Sequence, residues 1–493
     1  MPAYYLEILI LLLGFAMLCV EAFSSNRSRS GIAVLGVSGL FVVLLFLIFA
    51  IPSFEDPYDH WGIYHVDKLA LFYKAIAIIT TLLVLVLAKD FSPAFKKYTS
   101  QSNELSGIGE YYCIPVFVCA GLMWMASAKD LITIFVSLEL VTIGFYVLVS
   151  FMRRNVGSLE AGVKYLVLGA LSTGFLVYGI AWTFGVTGQF NLSGIAQELN
   201  SGEIEKGPVI FAFALLMVGL GFKVAAVPFH IWVPDVYQGT SMPITAFLSV
   251  GSKAAGFIVL LRVIEPFLNS PLTASSVILI LSFLTCVTLL LGNLVAIKQT
   301  NVKRLLAYSS IAHAGFLMMA LPAMQSDFLL QLSGPSPKES ISFYLAGYLL
   351  MTMLCFLVIT IVSALTGGEN IDDLKGLGTR SPLLAFAMLI GVASLAGIPL
   401  TVGFFGKFLL FNIAIQYAVF SGSWYIVSFA ILGASAGFYY YFKIIRAMYW
   451  EVSGKSGDQL TLPISALSRA MIITLLAGVI ICGVFPKLIL GFL

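Results

Sequence analysis

The chain has 493 residues, of which 60% are hydrophobic and 10% charged, with a mean hydropathy of +1.00 and a net charge of +3. A soluble protein of this size carries roughly 25% charged residues, so a water-soluble globular fold is excluded, and the small net charge gives no reason to expect a nucleic-acid partner. Apolar runs of about 20 residues recur from end to end, each long enough to cross a ~30 Å hydrocarbon core, which makes this an all-α polytopic membrane protein in contact with a lipid bilayer.

Fourteen spans are expected, at 4–23, 31–52, 67–88, 111–127, 131–151, 159–185, 208–236, 241–264, 272–296, 301–321, 341–366, 382–417, 423–448 and 464–491. The first has no basic segment ahead of it and is long enough to span, so it reads as a helix and not as a cleaved leader. Charged groups near span ends, Glu7, Glu21, Lys68 and Lys74, read as interfacial. The polar stretch with Asp59, His60, His65 and Asp67 has metal-ligand residue types but reads as a solvated loop. The six cysteines form no C-x-x-C pair and lie in or beside apolar runs, as buried small hydrophobes do. Connections are short, so no nucleotide-binding domain has room. One set of alternate connections holds sixteen Lys and Arg and the opposite set five. The basic loops are therefore expected in the cytoplasm, with both termini on the outer side.

The seventh and twelfth spans are too long for one straight helix, and each holds a proline. AAVPF at 225–229 and AGIPL at 396–400 match in pattern, five spans apart. An odd offset reverses direction through the membrane, so the two copies are expected in inverted repeats, where interrupted helices mark an ion or substrate site near the midplane. Pro228 removes a backbone hydrogen bond just after Lys223, and the freed carbonyls are tolerable at that depth only within protein or beside water.

Ionisable residues inside a membrane are costly and are functional candidates by default. Glu139, Lys223, Lys253 and Lys407 stand at mid-span, Lys164 lies one or two turns from a span end, His313 is deep, and His230 follows the Pro228 break. Snorkelling accounts for a lysine near an end, and a satisfied core histidine is the plainer reading of His313 alone. Neither accounts for three central lysines with one central carboxylate. Proton transfer fits the set. A free lysine titrates near about 10.4, whereas burial and a neighbouring cation bring an amine toward neutrality and a nearby carboxylate takes it back. Movement of Glu139 relative to Lys223 would then switch an amine between holding and releasing a proton, in a relay completed by water and His313.

These residues resemble the antiporter-like subunits of respiratory complex I and their relatives in multisubunit cation/proton antiporters. The resemblance covers roughly residues 110–450. It rests on SLEL in the fifth span, the lysine of the sixth, GFKVAAVPFHIWVPD in the seventh, the lysine of the eighth, NVKRLLAYSSIAHAG in the tenth and DLKGLG before the twelfth. One large subunit of that family usually carries glutamate where this chain has Lys407. The resemblance implies an N-terminal three-helix segment (1–110), a first five-helix repeat (111–264), a second, inverted repeat (265–450) and a C-terminal helix (451–493), with broken helices 7 and 12. It implies that Glu139 and Lys223 form a modulating pair, that Lys253 is the central relay, Lys164 and His230 auxiliary relays, and Lys407 the terminal one. It also implies a hetero-oligomer with other membrane-arm subunits in a bacterial inner membrane. NADH, FMN, iron–sulfur clusters and quinone would then belong to partner subunits, with no cofactor on this chain. The expected function is proton translocation coupled to quinone reduction elsewhere in the assembly. A stand-alone antiporter or membrane-bound hydrogenase subunit is the alternative, and a passive scaffold a further one.

Overall fold

The computed structural model describes residues 4–23, 30–50, 58–60, 62–99, 108–451 and 464–493. In chain order the elements are α1 (Tyr5–Phe23), α2 (Ser30–Ala50), a hairpin of β1 (Tyr58–His60) and β2 (Tyr64–Val66), α3 (Lys68–Thr99), α4 (Ile108–Ser127), α5 (Leu131–Val149) and α6 (Val156–Thr187). There follow α7 (Leu192–Leu199), α8 (Lys206–Val224), α9 (Trp232–Gly239), α10 (Met242–Phe247), a π-helical turn (Leu248–Ser252), α11 (Lys253–Leu268), α12 (Ala274–Ile297) and α13 (Val302–Met318). The rest comprises α14 (Ser326–Leu329), α15 (Pro337–Thr366), α16 (Leu377–Arg380), α17 (Pro382–Ala396), α18 (Val402–Ser421), α19 (Trp424–Trp450), α20 (Ala466–Val484) and α21 (Lys487–Leu490). Fourteen of the described helices are long and apolar enough to cross a membrane, as expected from the sequence. The basic residues Arg27, Arg29 and Lys455 of the loop count lie outside the described residues.

Helix is the form that satisfies every backbone group within its own segment, which a bilayer demands. Ends are closed locally. Asp130 accepts from the amides of Ile132 and Thr133 at 2.9 Å, at the start of α5. Ser336 and Glu339 form a reciprocal capping box at the start of α15. Several hydroxyls inside the spans bond back to their own helix, as Thr80 does to the Ile76 carbonyl at 2.6 Å and Thr360 to that of Phe356 at 2.6 Å. These threonines therefore bring no orphaned donor into the apolar interior.

Glycine sets the closest approaches between helices. A Cβ on Gly179 of α6 would stand 2.8 Å from the Leu216 amide of α8, and one on Gly292 of α12 would stand 2.7 Å from the Ala312 amide of α13. The continuous rod α10–α11 and helix α13 are enclosed by protein, while α1, α2, α6 and α20 stand at the perimeter.

Two interfacial assignments are corrected. Glu7 of α1 and Lys74 of α3 form an ion pair of 2.8 Å with both side chains 0% exposed. Tyr64 of β2 closes it, donating to Glu7 at 3.0 Å and accepting from Lys74 at 2.5 Å. The β1–β2 segment is likewise no free loop. Tyr64 and Val66 are buried, Ile63 accepts from the Lys129 amide at 3.0 Å, and Asp67 binds Arg262 of α11 at 2.9 Å. Burial and, after it, the Glu7 charge push the Tyr64 phenol up, so it stays protonated as a donor. The side chains of Asp59 and His60 lie outside the described residues.

Candidate proton-relay site

Helix α8 ends at Val224, where Ala225 takes a left-handed conformation with φ +65°. The chain then runs as turns through a cis Val227–Pro228 bond and resumes helix at Trp232. The break is held by other elements: the Val227 amide donates to Thr288 of α12 at 3.0 Å, and the Trp232 indole donates to the Phe222 carbonyl at 3.0 Å. Lys223 lies in the last turn of α8, 8% exposed, and donates to Thr142 of α5. Lys223 therefore belongs to the negative end of a half-helix.

The second break places a lysine differently but to the same electrostatic effect. Helix α17 ends at Ala396, with Gly397 at φ +90°, and α18 begins at Val402. Lys407 lies on α18 and reaches back to donate to the carbonyls of Leu395 and Ala396, at 2.9 Å each. These are terminal carbonyls that lack an intrahelical donor. Lys407 thus caps α17.

Lys253 follows the π-helical turn and is 2% exposed. It donates to the Ser310 carbonyl and hydroxyl of α13, and its Nζ lies 5.0 Å from the Tyr348 ring centre. Its helix packs against Lys223: a Cβ on Gly256, three residues on, would stand 3.5 Å from the Lys223 Cβ. His313, three residues beyond Ser310, is 1% exposed. Its Nδ1 bonds to Tyr344 and its Nε2 to Tyr441 at 2.9 Å. A neutral imidazole donates through one nitrogen and accepts through the other, so the two tyrosines take opposite roles. The Tyr348 ring lies 5.3 Å from the His313 ring. The Phe316 ring lies 6.2 Å from it and 4.9 Å from the Lys407 ammonium. His313 therefore shares one aromatic neighbour with each lysine, Tyr348 with Lys253 and Phe316 with Lys407.

The remaining expected residues lie apart from this row. Glu139 is half-buried on α5 and accepts from Thr173 of α6 at 2.8 Å. Lys223 is held by Thr142, one helical turn from Glu139, so carboxylate and amine share a helix face without an ion pair. Lys164 has a side chain 42% exposed and is paired with Asp235 at 2.8 Å and Glu160 at 2.7 Å. His230 sits half-buried in the turn after Pro228, beside Ile231, which is 65% exposed.

Lys164 opens onto a polar cavity of about 670 Å³ on the basic-loop side, lined also by Glu160, Asp235, Lys303, Arg304 and Glu369. Asp235 bridges Lys164 and Arg304 at 2.8 Å each, and Lys303 pairs with Glu369 at 2.8 Å while donating to the Thr240 carbonyl at 2.9 Å. Sequence reasoning gave Glu160, Asp235, Lys303, Arg304 and Glu369 no role. Asp235 carried a signal, a carboxylate four residues past Ile231, the exposed end of a proline break, whereas Lys303 and Arg304 were absorbed into the loop charge count. Among the described residues no group of three metal-ligating side chains occurs.

With this geometry in place, comparison with known proteins is informative. The family described as "NADH:quinone oxidoreductase/Mrp antiporter, TM" matches residues 128–434. The chain belongs to this family. A curated relative, NADH-quinone oxidoreductase subunit N 2 of Chloroherpeton thalassium, is 35% identical over 98% of this chain and 92% of its own length. Among solved structures, a chain of respiratory complex I from Thermus thermophilus with bound aureothin is 29% identical, with a TM-score of 0.79 over 99% of this chain and 98% of that one. A chain of the Mrp complex from Dietzia sp. DQ12-45-1b shares the fold at 20% identity, with a TM-score of 0.79 over 99% and 96%. The fourteen-helix scaffold is thus shared with these solved chains.

Proposed function

We infer that this chain is the N-type membrane-arm subunit of a proton-translocating NADH:quinone oxidoreductase, and that its buried amines carry the protons. One observation supports the relay above the others. Lys223, Lys253 and Lys407 are enclosed in protein, and each is held by neutral oxygens: the Thr142 hydroxyl, the Ser310 carbonyl and hydroxyl, and two carbonyls of α17. A lysine locked to a carboxylate keeps its proton. A lysine held by neutral oxygens is solvated as an ammonium with no fixed negative charge to keep its proton, and the Thr142 and Ser310 hydroxyls can also turn a proton toward a neutral amine at Lys223 and Lys253.

In this reading protons enter from the polar cavity at Lys164 and Asp235, on the basic-loop side, which is the cytoplasmic side of a bacterial inner membrane. They reach Lys223, pass to Lys253, and move through the Ser310 hydroxyl and the His313–tyrosine cluster toward Lys407. Glu139 sets the charge next to Lys223, and His230 is an auxiliary acceptor beside the break. The chain divides into a three-helix segment (1–110), two inverted repeats (111–264 and 265–450) and a final helix (451–493). The two interrupted spans, each with a lysine at the C-terminal end of a half-helix, support that division. Redox chemistry belongs to partner subunits, which carry NADH, FMN, iron–sulfur clusters and quinone.

The subunit N relative favours this assembly over a stand-alone antiporter. The test uses Lys253→Met in the intact complex in inside-out vesicles. Quinone reduction and vesicle acidification are expected to fall together while NADH oxidation by a soluble acceptor persists. Quinone reduction at the parental rate with an unchanged proton yield would reject the relay.

A further inference from the structure

A second cavity, of about 740 Å³, opens on the perimeter between α2, α3, α15, α20 and α21, away from the row of amines. Its wall is apolar, with Leu47, Phe72, Ile76, Leu349 and Ile489 among the lining side chains. Among the described residues Lys68 is the one charged group on it. Lys68 is exposed, starts α3, and forms no ion pair with a described residue.

The groove has the depth of one leaflet. Along α3 it runs from Lys68 to Ile79, eleven residues, or about 17 Å at 1.5 Å per residue. Half of a hydrocarbon core is about 15 Å. On α15 it ends at Leu350, in the half of that helix nearer Pro337, which lies on the same side as Lys68. The cation therefore stands at headgroup level and the apolar wall continues from it to the midplane.

We propose that this groove is a binding site for one anionic phospholipid of the leaflet on the lysine-poor side, with the phosphate on Lys68 and an acyl chain along α3 and α15. A neutral lipid would fill the wall equally but leave the lysine uncompensated. An apolar helix of a neighbouring subunit would cover the wall without using the charge.

The test takes the intact purified complex, stripped of loosely held lipid. It is incubated with phosphatidylglycerol carrying a diazirine on the acyl chain, or with phosphatidylcholine of the same chain. Crosslinked peptides are then mapped. Phosphatidylglycerol is expected to label segments 71–79 and 346–350 several-fold more than phosphatidylcholine. Lys68→Gln should lower that labelling about fivefold, the factor one lysine is worth at an anionic headgroup, and Lys68→Arg should retain it. Equal labelling by both lipids, indifference to Lys68→Gln, or no labelling of these segments would each overturn the proposal. The readout is lipid contact, so the outcome is independent of whether the amines carry protons.

Discussion

Replacing Lys223 with methionine removes an ammonium and leaves a flexible apolar side chain of similar length in its place. The structural cost is bounded by what the lysine touches. Its one hydrogen-bonding partner is Thr142, whose hydroxyl also donates to the Leu138 carbonyl at 2.6 Å. No buried donor is orphaned. A hydrogen bond to a charged group is worth about 1.5–3 kcal/mol, and releasing an ammonium from a low-dielectric site recovers energy of at least that size. The net stability change is therefore expected within about 2 kcal/mol, and the complex assembles. The functional cost is of another order. A positioned acid–base group contributes typically about 10²- to 10⁴-fold, and no other lysine in the row has an acceptor next to α5. Coupled quinone reduction and acidification should fall at least about 100-fold in inside-out vesicles. NADH oxidation by a soluble acceptor in the same vesicles should stay at the parental rate. Normal quinone reduction with an unchanged proton yield would refute the reasoning outright, because the amine would then be dispensable.

The other perturbations separate capping from conduction. Lys407→Met, unlike Lys253→Met, leaves the Leu395 and Ala396 carbonyls without a donor, so it should lose about 1–3 kcal/mol of stability as well as pumping, read as a lower yield of assembled complex and a lower Tm. Gly397→Ala forces a Cβ into φ +90° and to 3.0 Å from the Lys407 Cδ, and should slow pumping several-fold with the lysine intact, measured as acidification rate per assembled complex. Glu7→Gln or Lys74→Met alone breaks a fully buried ion pair and should cost about 3–5 kcal/mol, while the double variant should regain most of it in a thermal-stability assay of the complex. Asp235→Asn leaves Lys164 and Arg304 facing each other at the cavity mouth; these side chains are about a third exposed, so stability should change little while the proton-uptake rate falls, as seen in stopped-flow acidification.

The spans were legible because hydrophobicity over about 20 residues is a local property, and lipid leaves the backbone one way to satisfy itself within a segment. The candidate amines were legible for the converse reason: a charge inside such a run is conspicuous whatever surrounds it. What the sequence could not supply was partner and depth. Lys74 lies six residues into α3, within snorkelling reach of water, yet its ammonium turns inward because Glu7 arrives from α1 and Tyr64 from the hairpin. No local pattern encodes that meeting. The resemblance implied Glu139 and Lys223 as a modulating pair but could not say what holds the amine, which is Thr142, one turn along α5 from Glu139.

The two proline breaks make the same point about mechanism. Read as strings, AAVPF follows its lysine and AGIPL precedes its own, so the lysines seem to have opposite relations to the interruption. In three dimensions both lysines serve the C-terminal end of a half-helix, Lys223 as a residue of the last turn of α8 and Lys407 by reaching back across the gap to the carbonyls of α17. A helix C-terminus offers partial negative charge and no proton acceptor strong enough to deprotonate a neighbour. That is the environment a relay amine needs: enough field to hold a proton on arrival, and no fixed carboxylate to keep it.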